Sequence, residues 1–300
     1  MPTELQGVLR MLPLDRVYEL RLRANCPIVA CVAGRGFYLN DAGLTSEVNG
    51  AICVSRTDLE TIVHKASNYS IYAVNEQLKQ SFITIRGGLR IGICGELVTE
   101  RGQVGTIKNV TSLNIRVPHQ IKGCSYPALP YIFREGALPY KTLIVSPPGA
   151  GKTTFLRDLA WQLSDKYSFL NTLILDERGE IAASHLGEVQ LDVGVGTDVL
   201  TGGGKAYGFE NGIRSMRPDI IITDEIATRD DIDMIKLATR SGVCVFASVH
   251  AGGVEELRNK PFFRDLVETQ VFERYVVLAV RESAGVVVGV YDRNLKLLAM

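Results

Sequence analysis

Two hydrophobic rhythms divide the chain. Short alternating segments run through residues 1–128, and unbroken apolar runs with helical spacing between them fill residues 141–300. In the first part, residues 18–23 alternate apolar and polar side chains, the two-residue period of a half-buried strand. Residues 27–33 form an apolar run closed by Gly34-Arg35-Gly36, and residues 37–39 are placed to pair with it after that turn. Ser55 is an N-cap for a helix reaching about Ala66, with Leu59, Ile62 and Val63 on one face. A second helix is expected over 70–80. Residues 81–85 and 90–94 flank Arg86-Gly87-Gly88 as the arms of a hairpin, and 112–117 alternate again before Pro118. These segments predict a smaller α+β domain over 1–128.

Pro130, Gly136 and Pro139 punctuate 129–140, which reads as a linker. Beyond it, apolar strands are expected at 141–145, 172–176, 219–224 and 243–249. A helix carrying Phe155, Leu156, Leu159, Ala160 and Leu163 follows the first strand, and another spans about 229–241. Strands without alternation, separated by helices, imply an α/β domain over 141–300 whose mainly parallel sheet is covered on both faces. Such sheets bind ligands beyond the carboxyl ends of their strands. Each cluster of charge in this half falls at such an end.

Composition narrows the function classes. With 46% apolar and 22% charged residues the chain can bury a core, so wholesale disorder is excluded. Thirty-three basic residues balance 33 acidic ones, so no bulk positive field drives nucleic-acid binding. No apolar run approaches the ~18 residues of a membrane-spanning helix, and residues 1–5 do not open a secretory signal. The six cysteines form no C-x-x-C pair and are expected to be reduced and buried.

The strongest chemical signal is Ser146-Pro147-Pro148-Gly149-Ala150-Gly151-Lys152-Thr153-Thr154, between a strand and a helix. That is the setting of a P-loop, although Ser146 stands where the pattern has its first glycine. Backbone N–H groups there wrap a polyphosphate, Lys152 reaches the β- and γ-phosphates, and Thr153 offers a hydroxyl to Mg²⁺. The strand 219–224 ends in Asp224-Glu225, as a Walker B element needs: one carboxylate for the metal shell and one for the attacking water. Asp224 is assigned to the metal and Glu225 to the water, with the reverse open. Asp176-Glu177-Arg178 ends another strand. Glu177 there is a second candidate for water activation or metal solvation, and Arg178 for phosphate contact. His250 ends a fourth strand and is placed as a γ-phosphate sensor. The glycine-rich stretch 194–212, with Lys205 and Tyr207, reads as a mobile loop facing a pore or partner, or a plain connector. Arg86, Arg90 and Arg116 are candidates for phosphate contact across a subunit interface.

In this order, P-loop, acidic box at Asp176-Glu177, Arg217-Pro-Asp-Ile-Ile-Ile-Thr-Asp-Glu225 and Ser248-Val-His250-Ala resemble the RecA-like secretion and pilus ATPases. The resemblance is closer to the stage III sporulation AA family of endospore-forming bacteria. It extends to Glu19-Leu-Arg-Leu-Arg23, Tyr69-Ser-Ile-Tyr-Ala73, the hairpin at 82–95 and 108–116. The Thr-Asp-Glu ending departs from the Gly-Glu of the secretion enzymes and favours the sporulation branch. The resemblance implies a RecA-like P-loop NTPase fold using ATP and Mg²⁺. It further implies a homo-hexamer in the mother-cell cytoplasm, docked on membrane proteins of a channel complex between mother cell and forespore. It also points to Arg90 and Arg116 as the arginines acting from the N-terminal domain. The rival class is a nucleic-acid-dependent RecA-like motor or DNA-binding ATPase. Balanced charge and the single tryptophan, Trp161, argue against a basic stacking groove.

Overall fold

The computed structural model describes all residues except 1–2, 14–15, 33, 68–74, 80, 101–102, 135–137, 168, 260 and 282. Two compact units comprise Met1–His119 and Gln120–Met300.

In chain order, the first unit contains α1 (Thr3–Arg10), β1 (Val17–Arg23), β2 (Cys26–Pro27), β3 (Val29–Val32), β4 (Arg35–Asn40), β5 (Gly43–Thr45) and β6 (Cys53–Val54). It continues with α2 (Arg56–Ala66), α3 (Asn75–Lys79), β7 (Phe82–Thr84), β8 (Arg90–Glu100) and β9 (Gln103–Arg116). Seven strands form one antiparallel sheet in the order β5-β4-β3-β1-β9-β8-β7, while β2 pairs with β6. Alternation places Leu20, Leu22, Ile91, Ile93, Leu113 and Ile115 in a core that also takes Leu59 and Ile62 of α2. Ser55 caps α2 in a reciprocal capping box with Asp58, as its sequence predicts.

The β8–β9 hairpin extends well past the two segments expected from alternation. A bulge between Cys94 and Glu96 resets the register, and the polar face of the extension hides its period. Gly95 sits at that bulge, where a Cβ would lie 2.5 Å from the Lys108 carbonyl oxygen. Of the helix expected over 70–80, Asn75–Lys79 is helical. Residues 70–74 and 80, and the whole of the 69–73 motif, lie outside the described residues.

The second unit contains α4 (Leu129–Ile132), β10 (Thr142–Ser146), α5 (Lys152–Lys166), β11 (Thr172–Asp176), β12 (Thr197–Thr201), α6 (Lys205–Met216) and β13 (Ile220–Glu225). Then follow α7 (Arg229–Arg240), β14 (Cys244–His250), α8 (Val254–Asn259), α9 (Pro261–Glu268), β15 (Arg274–Ala279), β16 (Val286–Asp292) and β17 (Leu297–Ala299). The sheet order is β12-β11-β13-β14-β10-β15-β16-β17, parallel from β12 to β15 and antiparallel at β16 and β17. Leu143, Val145, Leu173, Leu175 and Ile221 pack with α6–α9 on one face. Ile144, Ile174, Ile220, Ile222 and Phe246 pack with α4 and α5 on the other. The chain is thus an α/β RecA-like P-loop fold preceded by a smaller antiparallel-sheet domain.

Three expectations differ from this structure. The stretch read as a linker begins with α4, whose Leu129 and Ile132 are buried in the second unit's core; the prolines mark the entry to a short helix there. The glycine-rich stretch 194–212 holds β12 and most of α6. Gly208 and Gly212 lie on the helix face that meets β11, and a Cβ on Gly212 would stand 2.6 Å from Leu173 Cδ2. All six cysteines are free, but only Cys244 is buried, because Cys26, Cys53 and Cys94 fall at exposed strand positions.

Candidate active site

The strand ends come together along one edge of the sheet. Ser146 on β10 is opposite His250 on β14, Glu225 on β13 is opposite Ser248, and Leu175 on β11 is opposite Thr223. The carboxyl ends of four adjacent strands therefore share a rim with the loop 147–151.

That loop is built around two left-handed glycines, Gly149 (φ 80°) and Gly151 (φ 89°), conformations that strain any residue with a Cβ. Gly151 is confined as well as twisted: a Cβ there would lie 2.4 Å from Gly285 N and 2.7 Å from Ala284 Cβ. Gly285 N donates to the Ala150 carbonyl at 2.8 Å, so the turn between β15 and β16 clasps the loop from outside. The Ser146 hydroxyl donates to Pro147 O at 3.0 Å, which commits it to the loop's own shape. Lys152, Thr153 and Thr154 form the first turn of α5, where backbone N–H groups lack intrahelical acceptors and favour an anion.

Lys152 Nζ lies 2.6 Å from His250 Nδ1 and 3.1 Å from its Nε2. His250 Nε2 is 3.6 Å from Glu225 Oε2, and Arg178 Nη1 is 3.6 Å from the same oxygen. Burial pulls the Lys152 ammonium below its usual range, against the opposing attraction of Glu225 and Glu180. Four residues singled out in the sequence, three from strand ends and Lys152 from the head of α5, thus make one continuous polar chain.

Beside it sits an acidic cluster. Asp224 is only 9% exposed, and both its carboxylate oxygens are without a hydrogen-bond partner among the described residues. Burial is the main cause that pushes its pKa up to about 6, with Lys205 opposing. Lys205 Nζ stands 3.3 Å from Asp224 Oδ1 and 3.3 Å from Glu177 Oε2, and donates to the Glu225 carbonyl. A buried carboxylate with open lone pairs fits a hard cation, and Mg²⁺ needs only one or two protein ligands beside phosphate and water. Asp224 is the carboxylate of the cluster that could hold it.

The two acids of the Asp176-Glu177 pair have different roles. Asp176 is fully buried and accepts backbone N–H bonds from Glu180, Ile181 and Ala182 at 2.9–3.1 Å. Arg157 of α5 donates to the carbonyls of Ile181 and Glu180, both at 2.6 Å. Asp176 and Arg157 therefore fix the 177–182 turn, and Glu177 is the acid presented at the rim.

Arg90 and Arg116 face each other across β8 and β9 in the Met1–His119 unit. The Arg90 guanidinium stacks 3.8 Å over the Phe82 ring. Arg116 is also opposite Glu19 on β1. Lys205, which the sequence placed in a loop facing a pore or partner, is instead the first residue of α6 and stands among the acids of the rim. The available signal was Phe209, Ile213 and Met216, spaced three to four apart. That spacing makes a helix whose first turn begins at Lys205.

The family model described as "Sporulation stage III, protein AA" matches residues 5–298. The stage III sporulation protein AA of Bacillus subtilis (strain 168) is 37% identical over 300 residues, covering 98% of this chain and 94% of that protein. Among solved structures, the ATPase DotB of Legionella pneumophila superposes with a TM-score of 0.58 at 16% identity, over 92% of this chain and 76% of that one. The pilus retraction motor PilT, solved with ADP, gives 0.58 at 12% identity, over 91% and 76%. At these identities the likeness to DotB and PilT is one of fold.

Proposed function

The chain belongs to the sporulation stage III, protein AA family, and on that premise we propose that it is a Mg²⁺-dependent ATPase. It serves a membrane-associated channel or secretion complex between mother cell and forespore. The observation that carries this reading is the chain Lys152–His250–Glu225, with contacts of 2.6 and 3.6 Å, at the mouth of the glycine loop.

The backbone N–H groups of Gly149 to Thr153 bind the phosphate tail, and the start of α5 adds its partial positive charge. Lys152 neutralises charge developing between the β- and γ-phosphates. Thr153 and Asp224 would hold Mg²⁺, which would supply further neutralisation of the phosphate charge. Glu225 orients the attacking water, with Glu177 at the same rim as its assistant. His250, touching both Lys152 and Glu225, links the state of the γ-phosphate to the position of that carboxylate. Arg90 and Arg116 act in trans in a homo-hexameric ring. The ring works from the mother-cell cytoplasm on partner membrane proteins, and among the described residues no helix is long and apolar enough to cross a membrane.

Steady-state phosphate release from Mg·ATP tests the reading. The wild-type chain is expected to turn over, Lys152→Ala to lose nucleotide binding and turnover, and Glu225→Gln to bind ATP but release phosphate slowly. Equal turnover by wild type and Lys152→Ala overturns it.

A further inference from the structure

We propose that Lys205 is an internal cation of the acidic rim, which holds the place of the divalent metal until the metal displaces it. The proposal rests on the ATPase reading only for the identity of that metal.

Four contacts converge on the Lys205 ammonium. It lies 3.3 Å from Glu177 Oε2, 3.3 Å from Asp224 Oδ1 and 3.9 Å from Asp231 Oδ1, and it donates to the Glu225 carbonyl. Its side chain is 10% exposed. Asp231 is the most distant of the three carboxylates at 3.9 Å, and its other oxygen, Oδ2, accepts the N–H groups of Ala227 and Thr228 at 2.8 and 2.9 Å as part of the α7 cap. Glu177 and Asp224 are therefore the carboxylates that Lys205 neutralises. Asp224 has no hydrogen-bond partner of its own among the described residues, so the ammonium is its nearest compensation for burial.

Position on the helix argues the same way. Lys205 is the first residue of α6, where the helix dipole disfavours a cation. A lysine held there is held by the acidic pocket. It is preceded by Gly202, Gly203 and Gly204, and a Cβ on any of the three would meet nothing within 4 Å. These glycines are not required by close packing. Gly202 and Gly203 take φ of 72° and 73°, a left-handed turn that releases the chain from β12 into α6. The segment thus has a backbone able to swing and a charge that fixes one of its positions.

A lysine ammonium and a divalent ion on the same carboxylate repel each other, so occupancy is competitive. Without metal, Lys205 keeps the buried acids compensated. When metal enters beside Asp224, the ammonium withdraws, and the start of α6 moves with it.

The test uses the full chain without nucleotide and Mn²⁺ as the probe, titrated by electron paramagnetic resonance. Wild type is expected to bind Mn²⁺ weakly, and Lys205→Met at least about tenfold more tightly, because the resident cation is gone. Lys205→Arg, which keeps the charge, is expected to stay near wild type, and the gain in Lys205→Met is expected to vanish when Asp224→Asn is added. Lys205→Gln replaces Lys205→Met if the methionine variant melts before the titration range. A lysine with a purely structural role predicts unchanged or weaker Mn²⁺ binding in Lys205→Met, and that result overturns the proposal, as does an equal gain in Lys205→Arg. No ATP is present, so the competition stands or falls apart from the ATPase reading. Absence of turnover with the Mn²⁺ gain intact would count against that reading alone.

Discussion

Lys152 Nζ lies 2.6 Å from Nδ1 of His250, joining the head of the phosphate-loop helix to the last residue of the neighbouring strand β14. The imidazole also stands 3.6 Å from Glu225, which places it between the phosphate cation and the candidate base. His250→Ala is expected to leave nucleotide affinity within a few-fold and to lower turnover about 10²-fold, the scale of losing one positioned group. Equilibrium nucleotide binding and single-turnover hydrolysis separate the two effects. A variant that loses affinity but keeps its rate contradicts the sensor role.

Glu225 and Glu177 compete for the role of water-orienting acid. Glu225 belongs to the Lys152–His250 chain, while Glu177 pairs with Lys205 and is the more exposed of the two. Glu225→Gln is expected to slow hydrolysis by about 10²- to 10³-fold and Glu177→Gln by about tenfold. Rapid-quench measurement of the chemical step in both variants checks the ranking. A larger loss in Glu177→Gln reverses the assignment.

The Gly151 position tolerates no side chain. A Cβ 2.4 Å from Gly285 N, on a residue with φ of 89°, must displace the turn between β15 and β16 or unwind the start of α5. Gly151→Ala is expected to destabilise the chain by about 2 kcal/mol or more. The urea midpoint reports the stability loss. Gly149→Ala, with the same twist but open space, is expected to cost less, about 1 kcal/mol.

Asp224 supplies a pH dependence with a definite sign. Its folded pKa, raised by burial from 3.8 to about 6, lies above the unfolded value. Below pH ~4 the group is protonated in both states and contributes its full relative stability. As pH rises through about 6, that contribution is lost, because the unfolded chain has already released its proton. Metal-free wild type should therefore lose roughly 2 kcal/mol relative to Asp224→Asn between about pH 4 and pH 7. Urea unfolding of both at the two pH values measures the difference. A gap that does not change with pH contradicts the burial argument.

Much of this site was legible because its residues end apolar runs. The strand expected at 219–224 and the observed β13 differ by one residue at each end; Asp224, Glu225 and His250 were readable as charges at such ends, and Lys152 from the glycine loop that follows β10. Asp176 and Glu177 were equally visible as a pair, but their division of labour was not. Which acid caps a turn depends on the backbone N–H groups of Glu180, Ile181 and Ala182 folding back on it. Lys205 was visible as a charge, but its place at the head of a helix was hidden for a related reason. Its helix carries Gly208 and Gly212, which lower local helix propensity, and the compensation is close packing on Leu175 and Leu173 of β11. Leu129 and Ile132 were masked by neighbouring prolines, although their burial in the core is what makes α4 part of the second unit.

The central claim is that the glycine loop and the acidic rim form one nucleotide-hydrolysing site. Isothermal titration of Mg·ATP into the wild-type chain and Lys152→Ala, with phosphate release followed in the same samples, tests it most directly. Saturable heat and steady phosphate release in wild type, both lost in Lys152→Ala, are the predicted result. No heat and no phosphate from the folded wild-type chain, or identical traces from the two proteins, would contradict it.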